Sequence, residues 1–395
     1  MPNGNCPTHR EGMLARRGAT ASMFDMSIRD EVRAAPAYAF QAWSHGIKLD
    51  QNEATTDLPA ELRERVLERM RGVAWNRYPE IRAQSVARRI AARDDWDPDG
   101  VVVAPGSNVL IQALVIAAGI GRRVLTVSPT FAVYALQARL LGVELHEVPL
   151  TRPGFGLDVA ALERKLAGGP GVLFLADPAA PTGNRLDDDA VADVLVAAAK
   201  SDWTVVIDEA YWPFDGRHRL DQVRGRADRV ALRTFSKADA LAGVRLGYAL
   251  TDPGTACQIG KVMLPFHVSA LQSAVAEVVL DDPEAVFERE RRVAASRSER
   301  SRVYEALSAR HAVDVMPSVT NFLLFRVDDA AGVYGSLRDR GVLIRRQDHL
   351  PGLDGCLRVT IGTAAENDAF LAALDETLVG TDASTRSTVS EVARG

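Results

Sequence analysis

Cysteine is scarce in this chain of 395 residues: Cys6, Cys257 and Cys356 stand far apart and are odd in number. That excludes a disulfide framework and a zinc-type cluster, no metal site is expected, and a reducing cytoplasm is the expected setting. No uninterrupted apolar run reaches the length of a membrane span, so no membrane partner is expected. The stretch from Met1 to Ser22 mixes Arg, Gly and Thr without an apolar h-region, so no secretory signal is expected either. A strong charge of one sign is also missing. Lys+Arg 47 against Asp+Glu 52 gives a formal net charge of -5, spread along the chain, which points away from a nucleic-acid partner. The most basic stretch, Arg289 to Arg302, alternates with Glu and Ser and reads as the solvated face of a long helix. Two glycine motifs are absent as well. There is no G-x-x-x-x-G-K-[ST] loop, and Gly119-Ile120-Gly121 lacks the third glycine and helix start of a dinucleotide fingerprint.

What is present is enough apolar residue, 47%, for two ordinary globular domains. From about Val101 to Leu250 short apolar runs alternate with amphipathic stretches, the pattern of an α/β domain with a mostly parallel sheet. The runs are Val101–Ala104, Val124–Val127, Gly171–Ala176, Trp203–Ile207, Val230–Arg233 and Leu246–Leu250. Most end in polar or turn residues, and ligands of open α/β sheets bind at those carboxyl ends. Beyond Pro253 comes a long helical stretch broken at Asp281-Asp282-Pro283, then Asn321–Val327, a helix near Ala330–Arg340, strands at Val342–Arg345 and Leu357–Ile361, and a last helix over about Ala364–Leu378. That texture predicts a smaller α+β domain. The expected division is an arm over 1–47, partly disordered, a large domain over 48–265, a small domain over 266–380 and a disordered tail over 381–395.

The sharpest chemical signal is Thr234-Phe235-Ser236-Lys237, followed by Leu241-Ala242-Gly243-Val244-Arg245-Leu246-Gly247. An ammonium directly after a buried strand is costly, and that cost suits a lysine that must act as a nucleophilic amine. Thr234, Ser236 and Arg245 supply the hydroxyls and guanidinium that hold a phosphate dianion. Next is Trp203–Ile207 ending in Asp208-Glu209-Ala210-Tyr211. An aspartate there pairs with a protonated pyridine nitrogen, or with magnesium if a phosphate loop were present, and none is. Tyr211 then stands where it can donate to a ring oxygen. Gly106-Ser107-Asn108, between a strand and a helix, presents free backbone N–H groups to a phosphate. Two residues keep two readings each. Phe131 is either a stacking partner for a planar ring or a core aromatic, and Arg358 either grips a substrate anion or lies on a solvated strand face.

Taken together, these motifs resemble the fold-type I pyridoxal-phosphate enzymes, most closely the histidinol-phosphate aminotransferase family, over roughly Lys48 to Leu378. Lys48-Leu-Asp-Gln-Asn52-Glu53, Asn76-Arg77-Tyr78-Pro79-Glu80, Pro181-Thr182-Gly183, Asn321-Phe322 and Leu357-Arg358-Val-Thr-Ile-Gly-Thr363 carry the likeness with the segments above. The resemblance implies a seven-stranded, mostly parallel sheet and pyridoxal 5'-phosphate held as a Schiff base on Lys237. It also implies a homodimer with shared active sites in which Tyr78 crosses to the other subunit. Catalysis falls to Lys237, Asp208 and Tyr211, and substrate binding to Arg358, Arg345 and Asn52.

Two departures stand out. Ala180 occupies the place of an asparagine that donates to the cofactor's phenolic oxygen, and Ala54-Thr55-Thr56 replaces Asn-Pro-Tyr at the substrate entrance. They imply an altered substrate pocket. The expected activity is amino transfer from an amino acid or amino-alcohol phosphate. The alternative is a non-transaminating enzyme of specialised metabolism: a decarboxylase, or an elimination, replacement or cyclisation catalyst. A DNA-binding regulator is disfavoured, because the arm before Lys48 is too short and unpatterned for a helix-turn-helix. Whether Asp177 reaches the pocket is open at this level.

Overall fold

A computed structural model describes residues 27–35, 43 and 46–392, with backbone only from 380 on. Most of the 1–47 arm and residues 393–395 of the tail therefore lie outside the described residues. The strands in chain order are β1 Ile47–Lys48, β2 Val101–Ala104, β3 Arg123–Ser128, β4 Glu144–Pro149, β5 Gly171–Ala176, β6 Trp203–Asp208, β7 Arg229–Thr234, β8 Gly247–Thr251, β9 Asp314–Val315, β10 Phe322–Arg326, β11 Val342–Leu343, β12 Arg345–Arg346 and β13 Cys356–Thr360.

Seven of them form one sheet in the order β2-β8-β7-β6-β5-β3-β4, parallel from β7 through β4, with β8 antiparallel to both of its neighbours. Side chains alternate across a strand, so each apolar run feeds two cores. Leu173 and Leu175 of β5 join one cluster with Leu62, Ile90 and Val275, while Val172 and Phe174 join another with Leu110, Tyr134 and Ile259. Burial on both faces is why the central strands read as continuous apolar runs. β4 does not read so. Its sequence Glu-Leu-His-Glu-Val-Pro occupies a sheet edge, where charge and proline are tolerated, and its pattern predicts no strand.

The second domain is a four-stranded sheet, β12-β13-β10-β9, with β1 and β11 as a parallel pair beside it. The stretch Val342–Arg345, expected as one strand, is two short ones with Ile344 between them. Helix Ala270–Asp281 packs on helices Ala60–Arg71 and Gln84–Asp94, so Val275 and Val279 belong to the large core. Val303 and Leu307 of helix Pro283–Ser308 lie in the small one, together with Leu49. Packing changes hands along that helix rather than at Phe266. The helix starts where the sequence predicts, with Asp282 capping the N–H of Glu284.

Two expectations need correction. The arginines of Arg289 to Arg302 are not a uniformly solvated face: Arg292 donates to Ala238 O at 2.9 Å, Arg297 to Phe214 O at 2.8 Å and Arg300 to Thr320 O at 2.7 Å. The helix lies between the domains, so one side of it meets backbone carbonyls of two loops and of the short helix Trp212–Asp215 rather than water. The last helix runs Ala364–Val392, beyond Leu378 and through most of the tail expected to be without structure. Residues Thr381 to Val392 contain neither proline nor glycine to stop it.

Beneath the carboxyl end of the sheet lies an ionic network. Arg233 Nε donates to Glu209 Oε2 at 2.8 Å, Arg233 Nη1 stands 3.3 Å from Asp94 Oδ2, and Arg93 stands 3.9 Å from Asp239. Glu209→Ala is expected to destabilise the fold by about 3 kcal/mol or more, because Arg233 then keeps a buried charge that Asp94 alone must balance. Chemical denaturation measures this, and a change within the error of the midpoint would contradict it.

Candidate active site

The carboxyl ends of β5, β6 and β7 and the tips of β2 and β3 face a cavity of about 490 Å³, closed on its other side by β12, β13 and the segment after β1. Each strand tip contributes by position. β6 ends in Asp208, which is 5% exposed, and the chain then turns to bring Tyr211 to the wall. β7 ends in Thr234, whose Oγ1 accepts the Ser236 N–H at 3.1 Å, and this tight turn presents Lys237. β2 runs through Pro105 into Gly106 at φ +90° and then into helix Ser107–Leu114, whose first N–H groups have no partner within the helix.

Lys237 Nζ turns inward and donates to Gln51 O at 2.8 Å. Burial lowers its pKa to about 7, and the nearby Arg358, Arg245 and Lys48 push the same way against Glu53. Burial acts oppositely on Asp208, raising its pKa to about 6, although Tyr134 Oη donates to its Oδ2 at 2.7 Å and the Ala210 N–H to its Oδ1 at 3.1 Å. Tyr211, raised by burial, accepts from Asn52 Nδ2 at 2.9 Å and meets the edge of Phe322 at 5.2 Å.

Arg345 and Arg358 are direct cross-strand partners on β12 and β13, and both line the cavity. Like charges so opposed are unfavourable unless an anion lies between them. Arg358 also donates to Asp50 O at 2.6 Å, and its guanidinium carbon lies 5.3 Å from the centre of the Phe322 ring.

Residues 44–374 match the family described as aminotransferase class I and II. The chain belongs to that family. The histidinol-phosphate aminotransferase of Deinococcus radiodurans is 45% identical over 348 residues, 88% of this chain and 95% of the relative. Histidinol-phosphate aminotransferase 1 of Ralstonia nicotianae is 39% identical over 362 residues, 89% of this chain and 95% of the relative. The solved histidinol-phosphate aminotransferase of Sinorhizobium meliloti, in complex with pyridoxal-5'-phosphate, superposes with a TM-score of 0.79 at 22% identity, covering 91% of this chain and 100% of that one. At that identity the likeness establishes the fold: fold-type I, with a large mostly parallel sheet and a smaller domain.

The groups of this aminotransferase fit pyridoxal 5'-phosphate, the cofactor of its fold type. A cradle able to take its phosphate group lies between the tips of β2 and β7. A Cβ on Gly106 would come 2.8 Å from Arg245 Nη2, and one on Gly247 would come 2.5 Å from Ser107 N, so both glycines keep that corner open. Ser107, Asn108, Thr234, Ser236 and Arg245 line the same cavity. The buried Asp208 carboxyl group, the Lys237 amine of lowered pKa and the Phe131 ring line it too, a set that would suit a charged, planar ring.

Of the residues singled out from sequence, two stand apart from this group. Gly106 does not line the cavity and offers it no free N–H, because its N–H donates to Ala104 O at 2.7 Å and its O accepts the Val109 N–H at 3.2 Å; Tyr78 is 82% exposed and stacks on Phe266 at 4.7 Å, away from the cavity of its own chain. Asn52 lines the cavity, but its side chain is taken up by Tyr211 and Thr360. Asp177 does not reach the pocket: it pairs with Arg219 and accepts the Leu186 N–H at 2.9 Å. Tyr134 was not foreseen, and its only signal is a tyrosine three residues after Phe131 at a helix start. Gln347 and His349 also face the cavity without a sequence motif to mark them, and Gln51 faces it from within the Lys48–Glu53 segment, where no role was assigned to it.

Since Asp208 is a buried carboxyl group with a raised pKa, the apoprotein should lose stability as pH rises from about 4 to about 6 on its account. Asp208→Asn should therefore stabilise the apoprotein at pH 8 by about 2 to 3 kcal/mol, an advantage that vanishes near pH 4, while abolishing activity. Thermal melts at the two pH values decide this, and an unchanged or lower melting temperature at pH 8 refutes it.

Proposed function

We propose that this pyridoxal-phosphate enzyme transfers the amino group of a phosphorylated amino alcohol of the histidinol-phosphate type, working as a homodimer. The observation that carries the reading is the Arg345–Arg358 pair, two guanidiniums in register on the wall of the cavity that also holds Lys237. An approaching phosphate dianion relieves their repulsion and is held bidentately, which orients the amino end of the substrate toward Lys237. The relatives named above carry the same activity in their names, at identities up to 45%.

The chain's own groups divide the work. Ser107, Asn108, Thr234, Ser236 and Arg245 hold the cofactor's phosphate, and Phe131 covers the ring. Asp208, ionised above about pH 6, holds a proton on the ring nitrogen. The cofactor, when bound, supplies an electron sink for the pair left when the substrate's C–H bond breaks. Lys237 Nζ, largely unprotonated above about pH 7, would take the proton from the substrate carbon and would return it two atoms away, on the far side of the amino nitrogen. Tyr211 donates to the ring oxygen, a duty that Ala180, lining the same cavity, cannot share. This departure motivates the altered pocket and the non-transaminating alternative. The discriminating result is simple: with an amino donor, amino transfer accumulates pyridoxamine 5'-phosphate and the alternative does not.

Lys237→Ala should abolish turnover and the visible band of bound cofactor. Arg345→Ala should raise KM for histidinol phosphate by on the order of 100-fold and leave kcat/KM for unphosphorylated histidinol little changed. Equal losses on both substrates would show that Arg345 does not read the phosphate.

An exposed apolar surface carries Trp75, Tyr78 and Leu264, each more than three-quarters exposed. We assign it to the second copy, with Tyr78 reaching the partner's cofactor phosphate. Mixing Lys237→Ala protomers with Tyr78→Ala protomers should then yield activity exceeding the sum of the two separate preparations. A purely additive result, with subunit exchange confirmed, counts against shared sites.

A further inference from the structure

The segment after β1 rides on the small domain and touches the large one. Leu49 N–H donates to Leu343 O at 2.8 Å and Thr360 N–H to Leu49 O at 2.9 Å, which fixes the segment to β11 and β13. Three consecutive residues then meet three side chains of the site. Asp50 O accepts from Arg358, Gln51 O accepts from Lys237, and Asn52 Nδ2 donates to Tyr211 Oη at 2.9 Å. Only the last of these contacts decides where a proton points.

Donor counting orients the Asn52 amide. Asn52 N–H donates to Thr360 Oγ1 at 2.9 Å, and Asn52 Oδ1 lies 3.2 Å from the same Oγ1, so the single Thr360 proton goes to Oδ1. Turning the amide over would leave that buried proton without an acceptor. Nδ2 is thereby committed to Tyr211. The main chain is pinned as well: Asn321 Nδ2 donates to Asn52 O at 3.1 Å, and Asn52 sits at φ 53°, a left-handed conformation that asparagine tolerates better than most residues. At 1% exposure no water competes for these groups.

We infer that Asn52 is a positioning residue that makes Tyr211 a one-way proton donor into the cavity. With Nδ2 against one lone pair of the Tyr211 oxygen, the single phenolic proton must point elsewhere, and the open direction is the cavity. The inference rests on the reading above that Tyr211 faces the cofactor's ring oxygen. The charged and titratable groups around Tyr211 are Asp208 from β6, Tyr134 from helix Val133–Leu140, Lys237 with Nζ 5.9 Å from the Tyr211 ring centre, and Arg358 from β13. Asp208 is engaged by Tyr134 and the Ala210 N–H, the Arg358 guanidinium accepts no proton, and Lys237 Nζ lies over the face of the Tyr211 ring rather than at its hydroxyl. Because Ala180 donates nothing, the orientation set by Asn52 decides whether the ring oxygen has a donor at all. Thr360 and Asn321 belong to the small domain, so the donor is set only while that domain sits against Tyr211.

The experiment is a pH titration of the visible band of the purified enzyme reconstituted with pyridoxal phosphate. Without a donor, the charge on the ring oxygen holds the neighbouring proton more tightly and the midpoint rises. Tyr211→Phe should raise it by about one unit. Asn52→Asp, nearly the same shape, replaces the donor by an acceptor that captures the Tyr211 proton, and should match Tyr211→Phe. Asn52→Ala merely frees the hydroxyl and should give a smaller rise. Thr360→Val, which unlocks the amide, should raise the midpoint, while Thr360→Ser should leave it at the wild-type value. That pair carries the test if the Asn52 variants fail to fold. An unmoved midpoint in Tyr211→Phe would overturn the placement of Tyr211 itself. A shift in Tyr211→Phe with none in Asn52→Asp, or in Thr360→Val should the Asn52 variants not fold, would overturn the role of Asn52 alone.

Discussion

Arg233 and Glu209 meet across the tips of β7 and β6 at 2% and 0% exposure, and neither charge would be tolerated there alone. Each is held by a second tie, Arg233 by Asp94 and Glu209 by the backbone N–H of Arg219. The pair fixes two positions at once. Asp208 is the residue before Glu209, and Thr234 is the residue after Arg233, so the cavity's floor and the turn presenting Lys237 are set by one contact. Trp212 lies over the Arg233 guanidinium at 4.3 Å and excludes water from it. The site's precision is therefore a by-product of an electrostatic demand beneath it.

The ends of β5 and β6 show how neighbouring carboxylates acquire different functions. Asp177 N–H donates to Asp208 O at 2.9 Å, so the two residues stand side by side. Asp177 is paired with Arg219 and turned away from the cavity, whereas Asp208, among the described residues, accepts hydrogen bonds from a phenol and a backbone N–H. One carboxylate holds a loop, while the other faces the cavity. This contrast shows at the site what the sequence leaves open for Asp177.

The large sheet was legible because strands buried on both faces must be apolar throughout, and the break before Pro283 because proline and aspartate mark a helix start. β4 was not legible, since an edge strand obeys a different rule. Lys237, Asp208 and Tyr211 could be read from position at strand ends, where chemistry and sequence are local to each other. Tyr134, Gln51 and the true partners of Asn52 could not, because each depends on a contact between segments far apart in the chain. The arginines of helix Pro283–Ser308 misled for a related reason. Charge patterning reports composition along one helix, while the carbonyls that receive Arg292, Arg297 and Arg300 come from segments far from it in the chain.

Among the described residues β2 has a single neighbour in the sheet, β8, and Val101 is paired with Leu250. During synthesis the first strand of the sheet therefore emerges with nothing to pair to. At about 5 to 20 residues per second, its partner follows roughly 8 to 30 s later. Over that interval Val101–Ala104 and the turn at Gly106 must stay unpaired at the end of a growing chain. The phosphate cradle is thus among the last parts of the large domain that can be assembled, and a nascent chain has no use for the cofactor until β8 has left the ribosome.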